Sequence, residues 1–177
     1  KIFIIYIALI LPTMLFSQHR VEIKKLSKNI NTDGSEINFV QISQNKAIYT
    51  SLRKSEKQTY ESSIYEATKN NLKWGRGVYA HRYNLESINT GNYTSSIKTK
   101  KIYLTVCDKN RKCKIASLKS NLQKPSLIQN KNINTKHNTT QPFITQNNDE
   151  ETMYFVSDRP GGFGGMDIWL SIIDEEG

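Results

Sequence analysis

Two cysteines lie six positions apart, Cys107 and Cys113, in a chain that holds no others. A structural metal centre takes four ligands, and a lone Cys-x5-Cys with no histidine near it in sequence supplies too few. A thioredoxin-type redox pair has two intervening residues, not five. The pair brackets Asp108-Lys109-Asn110-Arg111-Lys112, a polar turn between two β-rich runs. Residues opposed on antiparallel strands lie about 4.5–5.5 Å apart, within disulfide range. A disulfide between Cys107 and Cys113 is therefore expected to staple this hairpin once the chain reaches an oxidising compartment.

A second run invites a ligand. Arg159-Pro160-Gly161-Gly162-Phe163-Gly164-Gly165 is rich enough in glycine to suggest a phosphate cradle. A phosphate-binding loop, however, continues into Lys-Ser/Thr at a helix start. Here Met166-Asp167 leads into Ile168-Trp169-Leu170, a strand-like run, so the loop reads as a turn. Asp158 and Asp167 flank it, but their spacing and number match no calcium loop. The expectation is that one of them pairs with Arg159 or accepts backbone N–H bonds that hold the turn. His19, His81 and His137 are scattered, and no Gly-x-Ser-x-Gly elbow occurs. No catalytic residue, metal site or cofactor is expected.

The elements that position these residues follow from pattern. Met153-Tyr154-Phe155-Val156 meets Ser157-Asp158-Arg159, then Pro160 and four glycines (Gly161, Gly162, Gly164, Gly165), then Asp167-Ile168-Trp169-Leu170. Aromatic and β-branched residues suit pleated strands, and proline with glycine supplies the fixed and positive φ values of a reversal. The pattern recurs. Ile48-Tyr49 leads to Ile64-Tyr65, and Ile102-Tyr103 leads to Ile115-Ala116. Tyr49, Tyr103 and Tyr154 are 54 and 51 residues apart. Phe39, Tyr93 and Phe143 precede them, as do three Ile-Asn-Thr triplets starting at Ile30, Ile88 and Ile133. Repeats of roughly 40–50 residues with several short strands each are the signature of propeller blades. Trp74, Trp169 and the tyrosines then read as core between blades. No amphipathic helix appears, so the class is all-β: three tandem blades of an incomplete β-propeller.

The third unit, Gln141-Pro142-Phe143 followed by MYFVSDRPGGFGGMDIW, resembles the WD40-like, TolB-type β-propeller repeat. It is most similar to the version in exported envelope proteins of the Bacteroidetes, often joined to an OmpA-like peptidoglycan-binding domain. The likeness covers about thirty residues of the third unit and only the strand anchors of the first two. It implies that Tyr154, Ser157, Asp158, Arg159, Pro160, the glycines, Asp167, Ile168 and Trp169 form the blade, that the function is scaffolding or binding, and that no catalytic residue is carried over; an enzyme is not expected. Some family members carry a similar cysteine pair.

Lys1 precedes an apolar run from Ile2 to Phe16 closed by Ser17. That layout fits a secretory signal peptide, with cleavage expected after Ser17, and is too short for a membrane-spanning helix, which takes about 20 apolar residues. The expected organisation is signal peptide 1–17, leader or ring-closing strand 18–36, and repeats 37–86, 87–132 and 133–177, with further blades expected after Gly177. Leu52 to Ser62 is hydrophilic and reads as a long loop.

Net charge is +9. Nine basic residues and one acid lie between Lys98 and Lys124, whereas eight acids and only Arg159 lie between Asp149 and Glu176. The basic run reads as a solvated strand face, and with no nucleic-acid-binding motif, nucleic acid is not an expected partner. The expected function is an exported scaffold for protein–protein contacts in the periplasm or at the outer membrane. Its partners would be envelope proteins, with peptidoglycan reached through a later domain and no transmembrane helix in the mature chain. The alternatives are the accessory propeller of a secreted hydrolase and a cell-wall or carbohydrate binder.

Overall fold

The computed structural model describes residues 21–55, 58–86, 88–119 and 124–174. The signal-peptide expectation at 1–17 and His19 lie outside them. The described residues form an all-β fold of three antiparallel sheets without helix, each sheet built from consecutive strands. The first contains β1 (Ser35–Ser43), β2 (Lys46–Lys54) and β3 (Tyr60–Asn70), with the short β4 (Lys73–Trp74) and β5 (Val78–Tyr79) both pairing with β3. The second runs β6 (Asn89–Ser95), β7 (Lys101–Cys107), β8 (Cys113–Lys119), β9 (Ser126–Leu127). The third holds β10 (Thr139–Asn147), β11 (Glu150–Ser157) and β12 (Asp167–Ile173). No helix of the described residues is long and apolar enough to cross a membrane.

The first strand of every sheet carries a bulge. Pairing slips between Ile37 and Val40, between Gly91 and Thr94, and between Thr140 and Phe143. At each slip one residue has positive φ: Asn38 at 52°, Asn92 at 55° and Gln141 at 53°. Asparagine tolerates this left-handed region better than most side chains. The bulges put the three sheets in a common register: Thr50, Thr105 and Val156 face the residue before the bulge, and Ile48, Tyr103 and Tyr154 lie beyond it.

That register corrects the sequence alignment in two places. Tyr49 is equivalent to Leu104 and Phe155, not to Tyr103 and Tyr154. Phe143 is one residue beyond the positions of Phe39 and Tyr93. Ile48-Tyr49 and Tyr103-Leu104 are both large apolar pairs, so hydrophobicity fits either phase and the bulge decides. The expected loop at Leu52–Ser62 is also much shorter. Strand pairing continues through Leu52↔Ser62, Arg53↔Glu61 and Lys54↔Tyr60. Opposite charges can face each other across a solvated ladder, and hydrophilic side chains do not prevent backbone pairing.

Alternation along the central strands builds the core. Ile102, Leu104 and Val106 of β7 pack with Ile48, Ile64, Tyr83, Tyr93, Ala116 and Leu118 between the first and second sheets. Tyr103, on the other face of β7, packs with Ile115, Ile133, Met153, Phe155 and Ile173 between the second and third. A strand buried on both faces reads as a continuous apolar run, as Ile102–Val106 nearly does. A smaller cluster of Ile30, Tyr49 and Ala67, backed by Leu26, Tyr65 and Trp74, covers the outer side of the first sheet. Burial pushes the Tyr83 phenol up to about 12.

Candidate functional site

The β2–β3, β7–β8 and β11–β12 turns lie at the same end of their sheets, together with the connectors that enter β1, β6 and β10. The glycine-rich run and the cysteine pair are both there. In the third sheet, Arg159 Nε donates to Ser157 Oγ at 3.0 Å, while Nη1 and Nη2 donate to the carbonyls of Asn132 and Ile133 at 2.6 and 2.7 Å. Its guanidinium carbon lies 5.3 Å from the Trp169 ring centre and 4.8 Å from that of Phe155. Burial lowers its pKa. All these contacts brace the turn against the connector before β10, and the guanidinium is spent on them.

Asp158 does not pair with Arg159. Its oxygens accept from the Asn138 N–H at 2.6 Å and from Asn138 Nδ2 at 3.0 Å. Burial works against its charge, but these bonds outweigh it and hold the carboxyl below its ordinary value. Asp167 instead accepts from the Gly164 N–H at 3.1 Å, which closes the glycine turn. The expectation that an aspartate accepts backbone N–H bonds is met by both, and the Asp–Arg alternative is corrected. Gly161, at φ 99°, makes the reversal that a side chain would strain. Pro160 precedes it, Gly162 and Gly165 complete the turn, and Phe163 projects at its tip, fully exposed at 107%. Trp169 lies half-buried against the core. Ile168 and Tyr154 share the opposite face and are exposed.

Cys107 and Cys113 are directly opposed and joined as a disulfide. Beside them Lys114 Nζ donates to the Thr135 and His137 carbonyls, both at 2.5 Å. Burial lowers the Lys114 pKa, with Lys112 adding to the effect. His137 Nδ1 lies 4.0 Å from Asp158. No group of three or more His, Cys, Asp or Glu residues that could hold a metal occurs among the described residues.

Two devices escaped sequence reading. In the first sheet, Arg53 Nε donates to Ser51 Oγ at 2.9 Å and the guanidinium lies 3.8 Å from the Tyr65 ring centre. Ser51-Leu52-Arg53 thus repeats Ser157-Asp158-Arg159, and the recurring Ser-x-Arg was the available signal. The second sheet has Val106 and Asp108 there, and the disulfide occupies that end instead.

The other device is an asparagine clasp between sheets. Asn84 Oδ1 accepts from the Ile64 N–H, and its Nδ2 donates to the Ile64 carbonyl, both at 2.9 Å. Asn134 does the same to Ile115 at 2.9 and 2.7 Å. The triplets marked Asn31 and Asn134 correctly but chose Asn89 in the second unit, where Tyr83-Asn84 is the true counterpart. Asn89 has another role, accepting from the Ser62 N–H at 2.7 Å, as Asn138 does from Cys113 at 2.9 Å. Two of the three bulges add one bond each: the Asn92 and Gln141 N–H groups donate to Thr50 and Thr105 Oγ1, both at 2.9 Å. Gly91 permits this approach, since a Cβ there would come within 2.8 Å of Thr50 Cγ2.

No family model, curated protein or solved structure matches this chain.

The site is thus a braced, polar loop end carrying one projecting aromatic. Arg159, Asp158, Asp167 and Lys114 are engaged in holding its loops.

Proposed function

We propose that this chain is part of an exported β-propeller that serves as a protein-interaction scaffold in the cell envelope. The observation that carries the reading is Phe163, an aromatic held fully exposed on a glycine turn whose base is fixed by Arg159, Ser157 and Asp167. Aromatic anchors dominate protein interfaces when they enter a partner's pocket. A turn fixed at its base presents such an anchor at little ordering cost. Loops gathered at one end of successive sheets form a joint binding surface.

The propeller reading draws support from three successive meander sheets joined by the same clasp, and from the resemblance of the Met153–Trp169 segment to TolB-type repeats. The disulfide fits an oxidising compartment, hence export. Periplasm or outer membrane is the corresponding location.

A photo-crosslinking residue at position 163, introduced in the native cell, tests the reading. A discrete adduct with an envelope protein is expected, absent when the same residue replaces exposed Leu72. Equal labelling at both positions, or recovery of the protein in the cytoplasm with both thiols free, refutes it.

A further inference from the structure

The two ends of the sheets differ in chemistry, and in the first two sheets the end opposite the loop site is basic. The β1–β2, β3–β4 and β6–β7 turns, residues 43–46, 69–73 and 96–101, contain six lysines, no arginine and no acid. Lys119 closes β8 beside them. Lys46 pairs with Thr68 and Lys101 with Lys119, which places these segments at one end of their sheets. Ile48, Ile102 and Leu118 share one core cluster, so the two basic ends lie side by side. Lys46, Lys73, Lys98, Lys100 and Lys119 are exposed and form no ion pair among the described residues. Asp149 and Glu150 bound the surface at the turn of the third sheet.

Two aliphatic side chains stand out from this end. Asn70 pairs with Lys73, so Asn71 and Leu72 form a two-residue hairpin loop, at φ 46° and 66°. Such loops favour asparagine followed by glycine. Leu72 instead combines a left-handed backbone with a side chain 87% exposed, so neither local conformation nor burial selects it. A residue held in an unfavourable conformation at an exposed tip points to use. Ile97 is 63% exposed on a turn fixed from beneath. Its N–H and that of Lys98 bond the buried Glu151 carboxylate, and the Thr99 N–H bonds Ser96 Oγ at 2.8 Å.

The side-chain types select the partner. Protein interfaces centre on tryptophan, tyrosine and arginine and are depleted in lysine. Here every exposed cation is lysine, and both projecting side chains are aliphatic. An ammonium is a hydrated point charge on a flexible stem, which suits a diffuse layer of phosphates better than a planar acceptor. Leucine and isoleucine enter hydrocarbon without leaving a polar group unsatisfied.

We propose that this end of the first two sheets seats on an anionic phospholipid bilayer. Leu72 and Ile97 enter between the headgroups, and the lysines around them meet the phosphates. The surface is made of turns within sheets, so a sheet packed before the first or after the third leaves it open. Phe163 lies at the other end, and the proposal is independent of what it binds. A lipid-facing Leu72 also yields no discrete protein adduct, so the two readings fail separately.

The test floats the full-length mature protein with vesicles of phosphatidylethanolamine containing about 30% phosphatidylglycerol, and with vesicles lacking it. Binding to the first alone is expected, and its loss in 1 M salt, where the screening length falls to about 3 Å. Lys98→Ser with Lys100→Ser should weaken binding about twentyfold, from about fivefold per lysine. The matched pair Lys109→Ser with Lys112→Ser, at the opposite end, should leave it unchanged. Leu72→Gly relieves the backbone, so it should melt no lower than the native protein yet bind about tenfold more weakly. Three results overturn the proposal. One is equal binding to both vesicle types, or to neither. Another is equal loss from the two lysine pairs, which means that net charge alone attracts the protein. The last is undiminished binding by Leu72→Gly, which means that nothing inserts; retention on polyglutamate beads would then mark an acidic protein as the partner.

Discussion

Asn134 grips Ile115 at both ends of its residue, accepting the N–H at 2.9 Å and donating to the carbonyl at 2.7 Å. Asn84 holds Ile64 in the same way from a fully buried position. One side chain per junction thus satisfies the main chain of the preceding sheet, where water is excluded and unpaired groups are costly.

Asn84→Ala should therefore destabilise the fold by about 1–3 kcal/mol, since the buried Ile64 N–H loses its acceptor while the Ile64 carbonyl keeps its bond from the Ala80 N–H. Asn84→Asp should be no better, because an ionised carboxylate cannot donate to the Ile64 carbonyl. Urea denaturation measures both. A loss below about 0.5 kcal/mol, the usual range for surface changes, would deny the clasp its role.

Arg159→Lys removes the fork that reaches Ser157, Asn132 and Ile133 together. The ammonium is a point donor and cannot span them. The change should cost about 1–2 kcal/mol, in line with hydrogen bonds to a charged group, and should speed amide exchange in residues 160–166. Unchanged exchange there would show that the turn holds itself.

Glu151 gives a pH signature. Its carboxylate is buried and accepts from Ser96 Oγ, from the Ile97 N–H at 2.7 Å and from the Lys98 N–H at 3.1 Å. Burial alone would raise its pKa, but the bonds from Ser96, Lys98 and Ile97 outweigh it and lower it below 4.5. A depressed folded pKa means stability that is complete above the unfolded value and lost as pH falls through the folded one. Glu151→Gln should be less stable than the native protein at pH 7, and the gap should narrow as pH falls from the ordinary carboxylate value through the lower folded one, where the native carboxylate itself protonates. A gap that is constant from pH 7 to pH 3 would exclude this role.

Replacing both Cys107 and Cys113 with serine should lower stability by about 2 kcal/mol, the loop-entropy value for so short a ring. Denatured native protein should show no reactive thiol without reductant. Two thiols would mean that the pair is not joined in the cell.

Residue chemistry alone determined the all-β class, the repetition and the stapled hairpin. Alternation, turn residues and a Cys-x5-Cys across a polar turn are local properties, and local spacing carries them. The sequence also offered Asn134 and the Ser157-Asp158-Arg159 corner as noteworthy. Only the tertiary structure decided the phase of the repeats, because two adjacent apolar residues satisfy either register until a bulge at Asn38, Asn92 or Gln141 fixes one. It also decided that Asp158 holds Asn138 and not Arg159, and that Asn84, not Asn89, is the clasp. Those choices depend on which main-chain groups a neighbouring sheet leaves unpaired, and that is settled by packing between segments about 20 residues apart.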